Sequence, residues 1–449
     1  MPAVPSSGGV SEPVVIPESE HNISRKDVSP AAQRTVATLR EAGFSAELVG
    51  GCVRDLLLGA IPKDFDVATD ASPEDVRQLF RRSRLVGRRF RLAHVRDERE
   101  TIEVATYRAS PVPDDESDEI VVSDDGRLLS DNQYGTRVED AVRRDFTVNA
   151  LYFDTVSGDV IDYVGGMQDI TARSLRMIGD PVARLREDPV RILRAIRFAC
   201  KLGLTVEDDC ERVLAQCAPL LADVPSARML DEVLKLFHHG VALKTLKSLQ
   251  HYGVFEQLFP DVDKLIKQDD PIAAPLVERA LANTDARVLE DKPVIAPFLF
   301  AAILWRTMSL VREEFTDTGT DPRNAFIDAS EEVLALQSMR VSIPRRISTP
   351  IREIWSFQDR LERGRGRQPG RLVEHKRFRA AYDFLLLRAD VGDADKELAD
   401  WWTQFESADE STRSELARKQ AGPNQKNTKK KSGSRRRRRR RKKPANEKK

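Results

Sequence analysis

Apolar residues first recur with a helical period just after Pro30, where Ala32, Val36 and Leu39 share a face and Gly43 offers a C-cap. The pattern then becomes short and dense. Leu48-Val-Gly-Gly-Cys-Val-Arg-Asp-Leu-Leu-Leu-Gly59 reads as a strand, a diglycine turn and a helix carrying Arg54 and Asp55, and Asp64 and Asp66 follow on a second strand. Ser72-Pro-Glu-Asp75 combines an N-cap, a proline at the first helical position and acids in the first turn, so a helix is predicted to about Arg82. Residues 85–95 place a glycine turn before a basic strand, and 101–108 alternate as the next. Residues 110–133, rich in Pro, Asp and Ser, show no period and read as a mobile loop. Residues 138–143 suit a helix, the stretch from Thr147 fits either a helix or a strand, and 159–164 form a strand closing on Gly165-Gly166.

From Asp188 to about Asp390 the period is helical throughout. Val190, Leu193, Ile196, Ala199 and Leu202 give one apolar face that stops at Gly203, and later helices are predicted near 207–221, 227–240, 242–251, 274–284, 293–315, 323–340, 346–364 and 373–389. The expected fold class is α+β: a small head with a mixed or antiparallel sheet and helices, then an elongated all-α neck and body, with disordered termini. The expected boundaries are a leader at 1–29, the head at 30–180, the neck at 181–262, the body at 263–395 and a basic tail at 396–449.

Composition and charge sharpen this picture at one end. The 449 residues carry a formal net charge of +1. Residues 426–449 nevertheless hold fifteen Lys/Arg against one acid, Glu447, a net of +14, so residues 1–425 sum to −13. The run Arg435, Arg436, Arg437, Arg438, Arg439, Arg440 and Arg441 is a solvated arm with the electrostatics of an RNA-binding tail. The longest apolar run, 294–305, is too short to span a bilayer and contains Pro297, so no membrane partner is expected. The first 20 residues lack the apolar segment of a secretory signal. Cys52, Cys200, Cys210 and Cys217 show no zinc or disulfide spacing, and a cytoplasmic protein with reduced thiols is expected.

The chemistry converges on the first dense stretch. Gly50-Gly51 permits close backbone approach to phosphate, and Arg54 lies one turn into the next helix. Asp64 and Asp66, two apart on a strand, would point to one face and hold two Mg²⁺ ions, with Mn²⁺ an alternative. A third carboxylate is needed, and Asp145, behind Arg143-Arg144, competes with Glu103, on a strand beside the aspartates. In Arg186-Glu-Asp-Pro-Val-Arg191, an acid pair precedes Arg191, Arg194 and Arg197, which recur every three residues beside the apolar face. Together an acid and an arginine can read a base edge by hydrogen bonding. His238-His239, without other ligand types nearby in sequence, reads as an ordinary helix-end pair.

Gly50-Gly-x-x-Arg54-Asp55, Asp64-Phe-Asp66, Arg143-Arg-Asp-Phe-Thr-Val-Asn149 and Glu187-Asp-x-x-Arg191 together resemble the motif series of class II template-independent nucleotidyltransferases. That group contains tRNA CCA-adding enzymes and bacterial poly(A) polymerases. The resemblance covers roughly residues 30–260 and implies a polymerase-β-like palm followed by a helical neck and body. Gly87-Arg-Arg-Phe-Arg-Leu-Ala-His-Val95, Leu202-Gly-Leu204, Pro344-Arg-Arg, Glu353-Ile-Trp355 and Glu374-His-Lys-Arg-Phe-Arg-Ala-Ala-Tyr382 look more like the poly(A) polymerase I branch. The resemblance implies Asp64, Asp66 and Asp145 as catalytic carboxylates. It also implies nucleotide contacts at Gly50, Gly51, Arg54, Arg144, Asn149, Asp188, Arg191, Arg194 and Arg197.

The activity expected from this reading is addition of AMP from ATP to RNA 3′ ends, in polyadenylation, mRNA processing and decay, with Mg²⁺ and release of pyrophosphate. The substrates expected are mRNA, small RNA and tRNA-precursor 3′ ends, the expected protein partners are RNA-decay proteins, and a monomer is expected. A CCA-adding transferase uses the same palm and differs in how the helix after Asp188 selects bases. A non-catalytic RNA-binding adaptor is the reading from another class, and the intact carboxylates argue against it.

Overall fold

The computed structural model describes residues 12–87, 91–109, 120–122, 128–131, 133–363 and 369–420. The head is organised by buried strands. It begins with β1 (Val14–Ile16), α1 (Pro30–Glu41), β2 (Ala46–Val49), α2 (Gly51–Leu57), β3 (Asp66–Thr69) and α3 (Pro73–Leu79). The chain continues through β4 (Ser83–Val86), β5 (Leu92–Asp97), β6 (Glu100–Thr106), β7 (Ile120–Val122), β8 (Leu128–Asp131), α4 (Arg137–Arg143), β9 (Leu151–Phe153), β10 (Val160–Asp162) and α5 (Gly166–Ala172). Among the described residues eight strands form one mixed sheet in the order β1-β10-β9-β2-β3-β6-β5-β4. Its β3–β6 pair is parallel, and the other pairs are antiparallel. All four residues of β2 are buried, as expected of a central strand covered on both faces. Helix α1 supplies one cover through Ala32, Val36 and Leu39, each 0% exposed.

Three expectations for the head are corrected. The leader assigned to 1–29 contains β1, which pairs with β10, then a 3-10 turn at Arg25–Asp27 capped by Ser24, and Ser29, which caps α1. An edge strand draws its order from its partner's backbone, and with only Ile16 of three residues buried there was no alternation to read. The segment read as a mobile loop contains β7 and β8, which pair antiparallel across a register shift, while 110–119, 123–127 and 132 lie outside the described residues. The helix begun at Pro73 stops at Leu79 and not at about Arg82, and β4 takes up Ser83 and Arg84, between the predicted helix and turn, with Leu85 and Val86 of the turn.

After the short strand β11 (Ser174–Leu175) come α6 (Pro181–Glu187) and α7 (Val190–Leu202), then β12 (Thr205–Val206), which pairs parallel with β11. Helix α6, capped by Asp180, buries only Leu185, so periodicity could not announce it. Helix α7 buries Val190, Ile192, Leu193, Ala195, Ile196, Phe198 and Cys200 and ends at Gly203, whose φ of +64° is the left-handed cap expected there. The series continues with α8 (Asp208–Cys217), α9 (Ser226–Phe237), α10 (Ala242–His251), α11 (Val254–Leu258), α12 (Pro260–Lys267), α13 (Ala273–Leu289), α14 (Ala296–Asp317), α15 (Pro322–Arg340) and α16 (Arg345–Arg363). Helices α11 and α12 fell between two predicted helices because Pro260 breaks a run too short to show a period.

The chain divides into two compact units, 1–349 and 350–449. Beyond Pro350 the second contains the end of α16, then α17 (Pro369–Val373), α18 (Phe378–Asp390), α19 (Lys396–Ser407) and α20 (Glu410–Gln420). Its core gathers Phe357, Leu361, Phe378, Tyr382, Leu385, Trp401, Trp402 and Phe405. Disorder expected from residue 396 is therefore corrected for 396–420. Trp401, Trp402 and Phe405 fall on one helical face, and Trp402 donates its indole N–H to Leu361 O at 3.1 Å. The arginine run 435–441 lies outside the described residues. No helix among the described residues is long and apolar enough to cross a membrane. All four cysteines are buried free thiols, and burial pushes Cys52 up to about 12.

Candidate active site

Strand β2 delivers the chain to Gly50, where φ is +80° and a Cβ would lie 3.1 Å from Arg144 Nη1. Both the conformation and the close approach demand glycine there. Gly51 has no such requirement, since its Cβ would meet Arg54 Nη2 at an ordinary 3.6 Å. Arg54 is 4% exposed and fully engaged: Nε and Nη2 donate to Asp55 Oδ1 at 2.8 and 2.6 Å, and Nη1 donates to Asn149 Oδ1 at 2.5 Å.

Asn149 passes the connection on, donating from Nδ2 to Asp145 Oδ1 at 3.0 Å. Asp145 Oδ2 accepts from Arg194 Nε at 2.6 Å, and Arg194 Nη2 lies at the same distance. A single chain of polar contacts thus runs from α2 through the turn at 147–149 to α7. The Phe198 ring lies beneath three guanidinium groups, with Arg54, Arg194 and Arg197 at 5.0, 5.2 and 4.8 Å from its centroid. Burial works against ionising Asp145, but the charge of Arg194 and hydrogen bonds from Asn149, Arg194 and the Phe146 amide bring its carboxyl down to about 2.

The carboxylates of the metal motif lie elsewhere. Phe65 is buried, Asp64 is exposed in the turn before β3, and Asp66 opens the strand half-buried. The aspartates therefore keep the alternation expected of them, although Asp64 precedes the strand proper. Across the parallel pair, Asp66 is in register with Glu103, and Glu103 with His94 on β5. His94 Nε2 lies 3.1 Å from Glu103 Oε1. Burial, then the charge of Glu103, raise Asp66 to about 6, with Asp64 adding to the rise and Arg144 opposing it.

Asp66 and Glu103 line a cavity of about 270 Å³ with Val49, Arg108, Asp140, Arg143, Arg144, Glu187, Asp188 and Arg191. Arg144 is held at its wall by Asp140, whose Oδ2 accepts from Nη2 and Nε at 2.9 and 3.1 Å and from the Tyr152 hydroxyl at 2.7 Å. At the neck, Glu187 Oε2 accepts from Arg184 at 2.6 Å and Arg191 at 2.7 Å. Arg184 also donates to the carbonyls of Arg143 and Arg144, tying α6 to the head. Asp188 Oδ2 accepts from Arg228 on α9 at 2.6 Å. The acid pair read as a base reader is thus braced by arginines.

The stripe Arg191, Arg194 and Arg197 is half-buried and not a solvated face, and each member has its own surroundings. Arg191 holds Glu187, Arg194 holds Asp145, and Arg197 Nε has no hydrogen-bond partner. Asp140, Arg184 and Arg228 were not found from the sequence. The i,i+4 spacing of Asp140 and Arg144 was the one available signal. Arg184 and Arg228 act across about forty residues and leave no local trace.

Among the described residues no three His, Cys, Asp or Glu side chains converge as a ready-made cage. The donor set at Asp64, Asp66 and Glu103 is nonetheless all oxygen, as a hard divalent cation requires. Such ions are commonly held by one or two carboxylates plus substrate phosphates. Burial, then the charge of Glu103 in register with it, work against the ionised Asp66, and a cation bound between such carboxylates would relieve both, so the residues fit the ion.

Residues 46–176 match the family model described as the poly A polymerase head domain, 203–266 the "Probable RNA and SrmB- binding site of polymerase A", and 318–443 the polymerase A arginine-rich C-terminus. The chain is 43% identical over 410 residues to poly(A) polymerase I of Haemophilus influenzae, covering 90% of this chain and 91% of that one. It is 45% identical over 400 residues to poly(A) polymerase I of Escherichia coli O157:H7, covering 87% and 85%. A CCA-adding enzyme of Bacillus subtilis is 38% identical over 221 residues, about half of each chain. Among solved structures, the Bacillus stearothermophilus CCA-adding enzyme in complex with CTP matches with a TM-score of 0.54 at 25% identity, covering 84% of this chain and 82% of that one. A tRNA-processing enzyme in its apo form shares the fold with a TM-score of 0.58 at 21% identity, covering 89% and 99%. With likeness to the polyadenylating enzymes running almost end to end and likeness in sequence to the CCA-adding ones stopping halfway, the chain belongs to the bacterial poly(A) polymerase I family of template-independent nucleotidyltransferases that add AMP to RNA.

Proposed function

We propose that the cavity between β3, β6 and the start of α7 takes ATP, with its base toward Asp188 and Arg191 and its phosphates toward Gly50, Gly51, Arg54, Arg144, Arg194 and Arg197. The observation that carries this reading is that the Asp66–Glu103 pair and the Asp188–Arg191 turn line one cavity. Asp64 and Asp66 hold a divalent cation, Mg²⁺ in this proposal, with Glu103 beside them. When bound, that cation supplies activation of the attacking hydroxyl and neutralisation of the triphosphate. Asp145, held by Asn149, orients Arg194 on α7. The 3′-hydroxyl of the RNA gives up its proton to solvent as its oxygen forms a bond to the α-phosphorus, the bond from that phosphorus to the bridging oxygen breaks, and pyrophosphate leaves with the electron pair.

Each nucleoside triphosphate offered singly, with oligo(A) and with tRNA lacking its 3′ end, tests the substrate. Repeated AMP addition to oligo(A) is expected. Addition of CMP followed by one AMP on the tRNA would instead make this a CCA-adding enzyme.

The raised Asp66 carries a pH prediction. Between its ordinary value near 3.8 and about 6, the folded protein holds a proton that the unfolded chain has released. Stability of the metal-free protein therefore falls as pH rises through this window. Cation affinity moves the other way, because a cation must displace that proton below about pH 6. Apparent Mn²⁺ affinity is expected to weaken roughly tenfold per pH unit between pH 6 and 5, and a flat titration from pH 5 to 7 would contradict the assignment.

The arginine-rich tail is the RNA arm in this reading. Deleting residues 426–449 is expected to weaken oligo(A) binding by about an order of magnitude at low salt and to flatten its salt dependence. Turnover at saturating RNA should survive. Equal low-salt affinity of the two proteins, measured by fluorescence anisotropy, would refute the role.

A further inference from the structure

ATP and its cation take the cavity, and the RNA must bring its 3′-oxygen to them. A volume of about 270 Å³ is below the range of most pockets that enclose a whole small molecule, so the cavity has no room for a second nucleotide. The last nucleotide of the RNA therefore lies at the rim. One side chain in the head is suited to meet it. Tyr134 is 44% exposed, and it is the only exposed Phe, Tyr or Trp among the described residues.

Backbone pairing places Tyr134 beside the cavity. Just past β6, Arg108 and Tyr134 form an antiparallel bridge. Ala109 N donates to Gln133 O at 3.1 Å and Gly135 N to Tyr107 O at 2.8 Å, so the ladder bonds flank this pair and do not join it. Residues paired in that way have Cα atoms about 4.5 Å apart and side chains adjacent on one face. Arg108 lines the cavity with Asp66 and Glu103, and Tyr134 thus stands next to the cavity wall. Its support is tied down. A Cβ at Gly135 would lie 2.6 Å from Ala109 Cα, Arg143 Nη1 donates to Ala109 O at 2.5 Å, and Arg108 N donates to Asp140 Oδ1 at 3.3 Å. Asp140 also holds Arg144, so the tyrosine's strand and a nucleotide-facing arginine share one anchor.

Every base presents a π-face, and an aromatic side chain stacks on it whatever the sequence. A guanidinium beside the ring suits the phosphodiester attached to that base. We propose that Tyr134 is the platform on which the 3′-terminal base of the RNA stacks, with Arg108 meeting the phosphodiester that precedes it. The inference rests on the nucleotidyl-transfer reading above and adds what receives the second substrate. Stacking is tolerant of sequence, so the same platform serves an arbitrary RNA end in the first cycle and adenosine in each later one. The base of ATP is read elsewhere, by hydrogen bonds at Asp188 and Arg191.

The test compares the full chain with its Tyr134→Ala and Tyr134→Phe variants on two oligonucleotides: oligo(A), and the same oligo(A) whose last nucleotide lacks its base. Affinities are read by fluorescence anisotropy at about 0.2 M salt, where phosphate attraction is weakened and stacking persists. The unaltered chain is expected to bind the abasic end about tenfold more weakly. Tyr134→Ala should lose about the same factor on ordinary oligo(A) and nothing further on the abasic one, because the two changes remove a single contact. Tyr134→Phe should match the unaltered chain within about twofold, since the ring and not the hydroxyl makes the stack. Equal sensitivity of the unaltered chain and Tyr134→Ala to the missing base overturns the proposal, and so does a Phe variant as weak as the Ala one. A raised KM for ATP in Tyr134→Ala, with discrimination between the two oligonucleotides intact, would make the ring a contact for ATP and also overturn it. AMP addition by the unaltered chain is measured alongside: an active enzyme that fails the oligonucleotide comparison refutes the platform alone, whereas an inactive one refutes the nucleotidyl-transfer reading.

Discussion

The Asp64→Ala/Asp66→Ala double variant is expected to lose AMP incorporation by about a thousandfold or more. These two carboxylates are the only acids of the metal motif, and Asp66 is one of the two carboxylates paired across β3 and β6 at the cavity wall. Its folding should survive. Asp64 is exposed, and removing Asp66 relieves repulsion from Glu103. A thermal midpoint equal to or above that of the unaltered chain, together with absent incorporation of labelled ATP, is the expected pair of results. Incorporation within tenfold of normal would refute the placement of the chemistry on β3.

The second large effect separates two carboxylates that the sequence left in competition. Asp145→Ala strands the half-buried guanidinium of Arg194 and removes the acceptor of Asn149, on which Arg54 in turn depends. Breaking one side of a buried pair of this kind costs about 3–5 kcal/mol. The expected outcome is a clear drop in thermal midpoint and a higher KM for ATP, with divalent-cation affinity unchanged without nucleotide. Glu103→Gln should do the reverse. Its side chain is 49% exposed, so stability should stay within about 0.5 kcal/mol. Cation affinity should weaken, and Asp66 should titrate lower once the neighbouring charge that raises it is gone. If Asp145→Ala weakens metal binding and Glu103→Gln does not, the roles are interchanged, as the family resemblance implies.

The two glycines show how far local sequence reaches. Gly50-Gly51 announced a tight turn, and the turn is there, but only Gly50 has the positive φ and the guanidinium at its back. Nothing in the dipeptide says that Arg144, ninety-four positions later, stands behind it. The arginine stripe behaves in the same way. A spacing of three placed Arg191, Arg194 and Arg197 on one side of α7, and the helix ends at Gly203 as expected. That Arg191 and Arg194 have different partners, while Arg197 Nε has none, follows from Glu187 and Asp145, which arrive from separate elements. The short strand β1 and helix α6 were illegible for a simpler reason. Each buries a single residue, and their order comes from pairing or capping by distant chain.

What the sequence determined by itself about this protein is therefore what depends on neighbours within a turn or two of chain. That covers the alternation that puts Asp64 and Asp66 on one side, the apolar face of α7, the glycine at its end, the charge of the tail and the motif order that marks the family. The tertiary structure alone decided what depends on separation in space. The parallel register set Glu103 beside Asp66, and the packing of head on neck gave Asp145 to Arg194. Electrostatic energy falls with distance through space and is blind to distance along the chain, so a carboxylate's role is decided by the charges that the fold places beside it.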